Sequence, residues 1–248
     1  MKDFMKKMWP HIGISAGTLK ILAIITMVID HFAAGVYLRL FNGGYLLKWG
    51  MMDHAVTFYN VSRDIGRFAF PVFCFLLVEG LFYTKKRWKY LMRLGIFALV
   101  SEIPYDIVFH NGLEFGGQNV FFTLFIALLV IWCMDEVGKK YMVNQIVKSI
   151  FWSLILIAGC LVASGMQVDY SYRGIILVAI FYMFREYRFM ACLIGYLWFM
   201  YEPWSIAAFI ALLFYNGKRG ISMKYFFYAF YPGHLLLLYG LRVLLIGN

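Results

Sequence analysis

The sequence predicts an all-α fold: a polytopic bundle of membrane-spanning helices. Three observations predict it. Hydrophobic residues fill 63% of the 248 positions and charged residues only 15%, where a soluble domain carries about 45–50% and about 25%. Mean hydropathy is +0.74. Apolar runs of the length needed to cross a bilayer, about 20 residues, recur along the whole chain. Together these exclude a soluble globular enzyme, a disordered chain and a collagen-like chain. No soluble segment, low-complexity linker or internal repeat interrupts the pattern, so residues 1–248 read as one membrane domain.

The first span, Leu19–Phe41, follows a basic start with Lys2, Lys6 and Lys7. Asp30 and His31 interrupt its apolar run and no small-x-small site follows, so a retained anchor is expected over a cleaved signal peptide. The second, Ile65–Tyr83, carries Pro71, which should kink it. Tyr90–Phe109, Val120–Met134 and Ile146–Ala163 come next. Gly174–Phe184, Phe189–Met200 and Pro203–Tyr215 are short, with turns at Arg185–Arg188, Tyr201–Pro203 and Asn216–Gly220. They read as tilted or partly re-entrant spans. Tyr225–Ile246 completes about nine spans (nine to ten).

Basic residues alternate between links. Lys2, Lys6 and Lys7, then Lys85 to Lys89, Lys139, Lys140 and Lys148, Arg185 and Arg188, and Lys218, Arg219 and Lys224 fall on one side. The links at His110–Gln118, Ser164–Ser171 and Tyr201–Pro203 carry none. By the positive-inside rule the N-terminus is cytoplasmic. The link after the first span, with Lys48 and Arg63, is the exception. The formal charge of +10 is explained by these loops, and no nucleic-acid partner is expected. Cys74, Cys133, Cys160 and Cys192 stand singly in apolar runs and read as small buried hydrophobes. No metal-ligand spacing and no glycine-rich phosphate loop occurs.

Ionisable residues inside a bilayer are expensive, and each is a candidate functional residue. Lys20 and His31 lie 11 residues apart, so they share a helix face about 16 Å apart along the axis. Lys20 falls at the cytoplasmic edge, where a cation meets phosphates. His31 falls at mid-membrane or beyond, where imidazole suits proton transfer. Asp30 points about 100° away and is expected to pair with a neighbouring helix. Arg63 and Arg67 share a face, with Asp64 as a partial counter-charge. Glu102 and Asp106 share another across Pro104, so they disfavour joint ionisation. Glu79 reads as the partner of the basic link that follows it, Lys85 to Lys89. Gln118-Asn119 opens the fourth span, Asp169-Tyr170 precedes the sixth, and His234 follows a Pro232-Gly233 break. Most of these fall toward the outer side, which suggests one polar cavity there.

The segments Leu19–His31, Ile65–Gly80, Arg93–Asp106, Gln118–Thr123, Asp169–Tyr182 and Phe227–Leu238, with its Y-A-F-Y-P-G-H run, strongly resemble the TraX family. TraX proteins are membrane acetyltransferases named for acetylating the N-terminus of conjugative pilin. They look related to the transmembrane acyltransferases that include the heparan-alpha-glucosaminide N-acetyltransferases. In those, the first span reads roughly L-R-G-x(9)-H. Lys20 stands where the arginine stands and His31 matches the histidine, while Ile21 replaces the glycine. The resemblance implies a multi-pass protein of the bacterial inner membrane, with acetyl-CoA as acyl donor and no metal. It implies a catalytic group of His31, Asp30, Glu102 and Asp106, and coenzyme contacts at Lys20, Arg67 and Asn119. Asp169, Tyr170 and His234 are expected to meet the acceptor, a protein N-terminus, glycan, lipid or small amine. A homodimer is an expectation from the superfamily. A proton-coupled transporter of a small molecule or lipid, using the same carboxylates, is the alternative.

Overall fold

The computed structural model describes residues 13–110, 112, 116–141, 144–221 and 224–247. Lys2, Lys6 and Lys7, which enter the sidedness argument, lie outside them. Helices α1 (Ala16–Asn42) and α2 (Tyr45–Lys48) are followed by α3 (Ala55–Gly66), α4 (Ala69–Tyr83), α5 (Arg87–Phe109) and α6 (Val120–Lys140). Then come α7 (Gln145–Gly165), α8 (Ser171–Met183), α9 (Arg188–Trp198), α10 (Ile206–Leu213) and α11 (Lys224–Ile246). No strand occurs among the described residues.

Five helical segments are long and apolar enough to cross a membrane: Ala16–Asn42, Ala55–Tyr83, Val120–Lys140, Gln145–Gly165 and Phe226–Ile246. The count differs from the nine expected for two physical reasons. Helix α5 is long enough, but Arg87, Lys89, Arg93, Glu102 and Asp106 dilute its apolar character. Helices α8 and α9 have 13 and 11 residues. Across about 30 Å of hydrocarbon, at 1.5 Å per residue, such helices are too short to span alone. The eighth stretch divides into a 3₁₀ turn, Pro203–Ser205, and α10.

Local chemistry sets the helix ends. Ser15, Asn119 and Asn144 are N-caps, their side-chain oxygens accepting from the N–H groups of Thr18, Phe121 and Val147 at 3.2, 2.9 and 3.0 Å. Lys139 and Lys140 close the last turn of α6, where the helix dipole favours cations. The second span begins earlier than the sequence suggests, at Ala55, so Arg63 lies inside α3 and not in a link. Pro71 offers no N–H to the Arg67 carbonyl, and the helix tightens there. Arg67 N–H donates to Asp64 O at 3.2 Å and Phe68 N–H to Ile65 O at 3.3 Å before α4 resumes. Pro232, expected to break the last span, does not; α11 runs through it.

The links sort into two ends. At one, Ile14 pairs with the Phe214–Asn216 backbone, Arg87 meets Asp135 at 2.5 Å, and Arg185 meets Glu79 at 2.7 Å. At the other, Gln118 bridges Gln167 and Asp169, and Arg67 meets Glu202 at 3.0 Å. Glu79 thus pairs with Arg185 of a later link and, among the described residues, not with the Lys85 to Lys89 link that follows it in sequence.

Helix α7 lies at the rim. Ile146, Ile150, Leu154, Ile157 and Leu161 are exposed at helical spacing, while its buried residues are Gly159 and Ala163. Small residues four apart let helix backbones approach closely. A Cβ at Gly159 would lie 2.3 Å from Val130 Cγ2. Gly159→Leu should therefore destabilise the bundle by about 1–3 kcal/mol through overpacking. Gly165→Leu, where nothing lies within 4 Å of an added Cβ, should leave thermal unfolding in detergent unchanged. Equal melting of the two variants would contradict this packing.

Candidate active site

Helix α1 sends its two adjacent ionisable side chains to different neighbours. Asp30 meets α3, where Arg63 Nη1 donates to Asp30 Oδ2 at 2.8 Å. Gly66 makes the approach possible, since a Cβ there would lie 2.3–2.5 Å from Asp30 Cβ, Cγ and Oδ1. Asp30 Oδ1 is buried with no hydrogen-bond partner among the described residues. Arg67, one turn on, pairs with Glu202 and faces the Tyr170 phenol. Asp64 is not the counter-charge of either arginine; Asp30 and Glu202 are.

His31 turns to α11. Its Nδ1 lies 2.8 Å from His234 Nε2, and His234 Nδ1 lies 3.0 Å from Phe230 O. The protons can be assigned from this chain. A carbonyl oxygen only accepts, so His234 Nδ1 carries the hydrogen that Phe230 O receives. In the neutral ring His234 Nε2 is then the acceptor, and His31 Nδ1–H donates to it. His31 Nε2 is left with its lone pair. The imidazole centroids are 5.0 Å apart with 17° between planes, the separation of rings meeting edge to edge along that bond. Phe109 and Tyr231 close on the His31 ring edge-on, at 5.3 and 6.0 Å. Immediately beyond His31 and Phe32, α1 widens into a π turn, Ala33–Tyr37. Such turns mark functional sites in helices.

Helix α5 supplies two carboxylates, Glu102 and Asp106, and the N-cap of α6 supplies the amide that holds the first of them. Glu102 Oε2 accepts from the Asn119 backbone N–H at 3.2 Å and from Asn119 Nδ2. Asn119 Nδ2 also donates to Ala98 O at 2.8 Å, and Oδ1 caps α6. The side chain expected to contact the coenzyme is thus fully committed to joining α5 to α6. Glu102 Oε1 is buried without a hydrogen-bond partner among the described residues, and Asp106 is buried. Neither these carboxylates nor Asp30 orients the His31 imidazole; its Nδ1 partner is His234. The last turn of α5 is held by two cations, Arg242, which the sequence places beyond His234 on the last span, and Arg39, which the sequence did not single out. Arg39 Nη2 donates to Val108 O at 3.1 Å, and Arg242 donates to Val108 O and Ile107 O at 3.1 Å each. They satisfy carbonyls that a helix end leaves open, and so fix Phe109 against His31.

The lip above this cluster is strained. Gln167, Tyr170 and Ser171 have φ of 51°, 60° and 44°, a region costly for residues with a Cβ. Tyr170 stacks face to face on Phe70, with centroids 3.6 Å apart and 4° between planes. Asp169 is pinned by its backbone: its N–H donates to Gln118 O at 2.9 Å, and its carbonyl accepts from the Thr123 hydroxyl. It lies in the link between helices, and crowding by protein atoms pushes its carboxyl up to about 6.

The TraX protein family model matches residues 15–242. The chain belongs to the TraX family. It is also 29% identical, over 95% of its length and 98% of the other's, to the "Probable fimbrial assembly protein FimC, serogroup H1" of Dichelobacter nodosus. No solved structure matches it.

In this TraX chain the expected residues divide in two. Asp30, His31, Arg67, Glu102, Asp106, Asn119, Asp169, Tyr170 and His234 all lie on α1 beyond its midpoint or on the elements around it. Lys20 lies apart, three turns toward the basic end, its Nζ 5.3 Å from the centre of the Phe227 ring. Sequence reasoning missed Tyr105 and Tyr231, whose hydroxyls share the electrostatic surroundings of Glu102 and Asp169. It also missed Glu202. Aromatic side chains are too common in this chain for two of them to stand out.

Proposed function

We propose that this TraX protein is a membrane-embedded acetyltransferase. It moves the acetyl group of acetyl-CoA, taken at the basic end, to an amine or hydroxyl acceptor that enters from the opposite end. The observation that carries the reading is the His31–His234–Phe230 chain of hydrogen bonds, which leaves the lone pair of His31 Nε2 as a base. His31 Nε2 takes the proton of the acceptor N–H or O–H as that atom attacks the thioester carbonyl. The carbon–sulfur bond then breaks, and the proton passes from His31 to the departing thiolate. Direct transfer is preferred to an acetyl-histidine intermediate because the thioester is already activated. Asp30, Glu102, Asp169 and Tyr170 border the acceptor side.

The same reading places nine passes across the bacterial inner membrane, with the basic end cytoplasmic. Alternation of the basic links supports it, as does the sorting of the links into two ends. The relative named for fimbrial assembly supports an exported structural subunit as the source of the acceptor amine. The decisive experiment is binding of radiolabelled acetyl-CoA to detergent-purified protein, with CoA as competitor. Saturable binding displaced by CoA is expected. No binding by protein shown to be folded would reject the acetyltransferase and favour the transporter.

A further inference from the structure

Beyond Lys20, the basic end holds two more cations whose surroundings ask for an anion. Arg93, on the second turn of α5, packs its guanidinium 5.9 Å from the centre of the Tyr90 ring and faces the Tyr228 hydroxyl. Its Nε is buried with no hydrogen-bond partner among the described residues. A buried N–H of a charged group left unpaired costs more than a neutral one. Lys20 lies over Phe227, the residue next to Tyr228 on α11. The two cations therefore approach the first turns of α11 from α1 on one side and from α5 on the other. Arg219, on the link that pairs with the start of α1, adds its charge at close range to Lys20. Among the described residues no carboxylate forms an ion pair with Lys20, Arg93 or Arg219, whereas Arg63, Arg67, Arg87, Lys139 and Arg185 each have one. A cluster of like charges that a protein leaves unneutralised is a place for an external anion.

From this cluster an aromatic path leads to the imidazoles. Tyr228 lies 5.1 Å from Phe97 and 6.3 Å from Phe121 between ring centres; Phe121 lies 5.0 Å from Tyr231, and Tyr231 lies 6.0 Å from His31. Tyr228, Tyr231 and His234 follow at three-residue steps along one side of α11. An anionic head held at the cluster would thus sit at the foot of a continuous run of aromatic side chains that ends at the His31 ring.

We propose that Lys20, Arg93 and Arg219 form one phosphate-binding site, and that it holds the phosphates of the acyl donor while the donor's arm runs past Tyr228 and Tyr231. The assignment rests on the acetyltransferase reading for its ligand, and on the unpaired cations for its place. Phosphate also arrives on anionic lipid headgroups, so the test separates the two sources. Binding of radiolabelled CoA is measured for wild type, Arg93→Gln and Arg93→Lys, each checked by size exclusion. Adenosine 3′,5′-bisphosphate, which has phosphates and no arm, and pantetheine, which has the arm and no phosphate, serve as competitors. Phosphatidylglycerol retained from mixed phosphatidylglycerol–phosphatidylcholine micelles is measured in parallel.

The expected result is a tenfold or greater loss of CoA affinity in Arg93→Gln, partial recovery in Arg93→Lys, and weaker competition by the bisphosphate alone. Phosphatidylglycerol retention is expected to be equal in all three. Wild-type affinity for CoA in a folded Arg93→Gln would overturn the site while leaving the acetyltransferase standing. Loss of phosphatidylglycerol with CoA binding intact would assign the cluster to a lipid and overturn the donor assignment. Failure of the wild type to bind CoA at all would overturn the donor assignment together with the reading it rests on.

Discussion

Replacing His31 by asparagine should lower acetyl transfer by about 10²–10⁴-fold, the share that a positioned general base contributes, with donor binding unchanged. Asparagine is the informative replacement. Its Nδ2 takes the place of the imidazole Nδ1 and can still donate to His234 Nε2, so the contact across 203 residues survives, but it has no basic lone pair to take a proton. His31→Ala should lose transfer equally while leaving His234 Nε2 unpaired, and is expected to melt earlier. The measurement is single-turnover release of CoA alongside equilibrium binding of acetyl-CoA. Turnover retained in His31→Asn would remove His31 from the chemistry.

His234→Phe should cost about a hundredfold in kcat, by analogy with the loss of a group that orients a catalytic imidazole. Phenylalanine keeps the ring, and with it the packing on Phe230, whose centroid lies 5.3 Å away with 7° between planes. It removes the acceptor that holds the His31 proton on Nδ1, so that the proton can move to Nε2 and silence the base. KM for the donor should not change, which separates positioning from binding. His234→Gln, whose Oε1 can accept the same N–H, should recover part of the rate. A His234→Phe enzyme with full kcat would show that the imidazole pair only packs α1 against α11.

How much of this was legible in the sequence depends on the range of the interaction. A helix that is apolar for most of its length, such as α7, shows itself to within two residues at each end, whereas α6 runs on past the expected Met134 through charged residues to Lys140. Helix α5, expected as the span Tyr90–Phe109, forms over nearly those residues but is too charged to count among the apolar spans, because its charges serve neighbours: Arg87 serves Asp135, and Glu102 serves Asn119. The spacing of Lys20 and His31 follows from helix periodicity alone. The partner of His31 does not, because it comes from α11, and only packing decides which of several nearby polar groups an imidazole meets. Asn119 illustrates the converse. A polar residue opening an apolar run is as good an N-cap as a ligand contact, and here the cap and the link to α5 use its whole amide. Asp64 was the nearest charge to Arg63 in sequence, yet the bundle brings Asp30 closer because Gly66 removes the side chain that would stand between the helices.

The hydrogen-bond chain behind His31 ends on a backbone carbonyl, Phe230 O. A carboxylate in that place could take up a proton and pass it on; an amide carbonyl does not. The relay is therefore a closed end. On the proposed chemistry, the proton that His31 receives from the acceptor has one exit, back through Nε2 to the thiolate. Each turnover is then balanced within the pocket, and the catalytic dyad moves no net charge between the two aqueous compartments. An enzyme built this way draws on the energy of the thioester alone, and its rate is independent of the proton-motive force across the membrane that houses it.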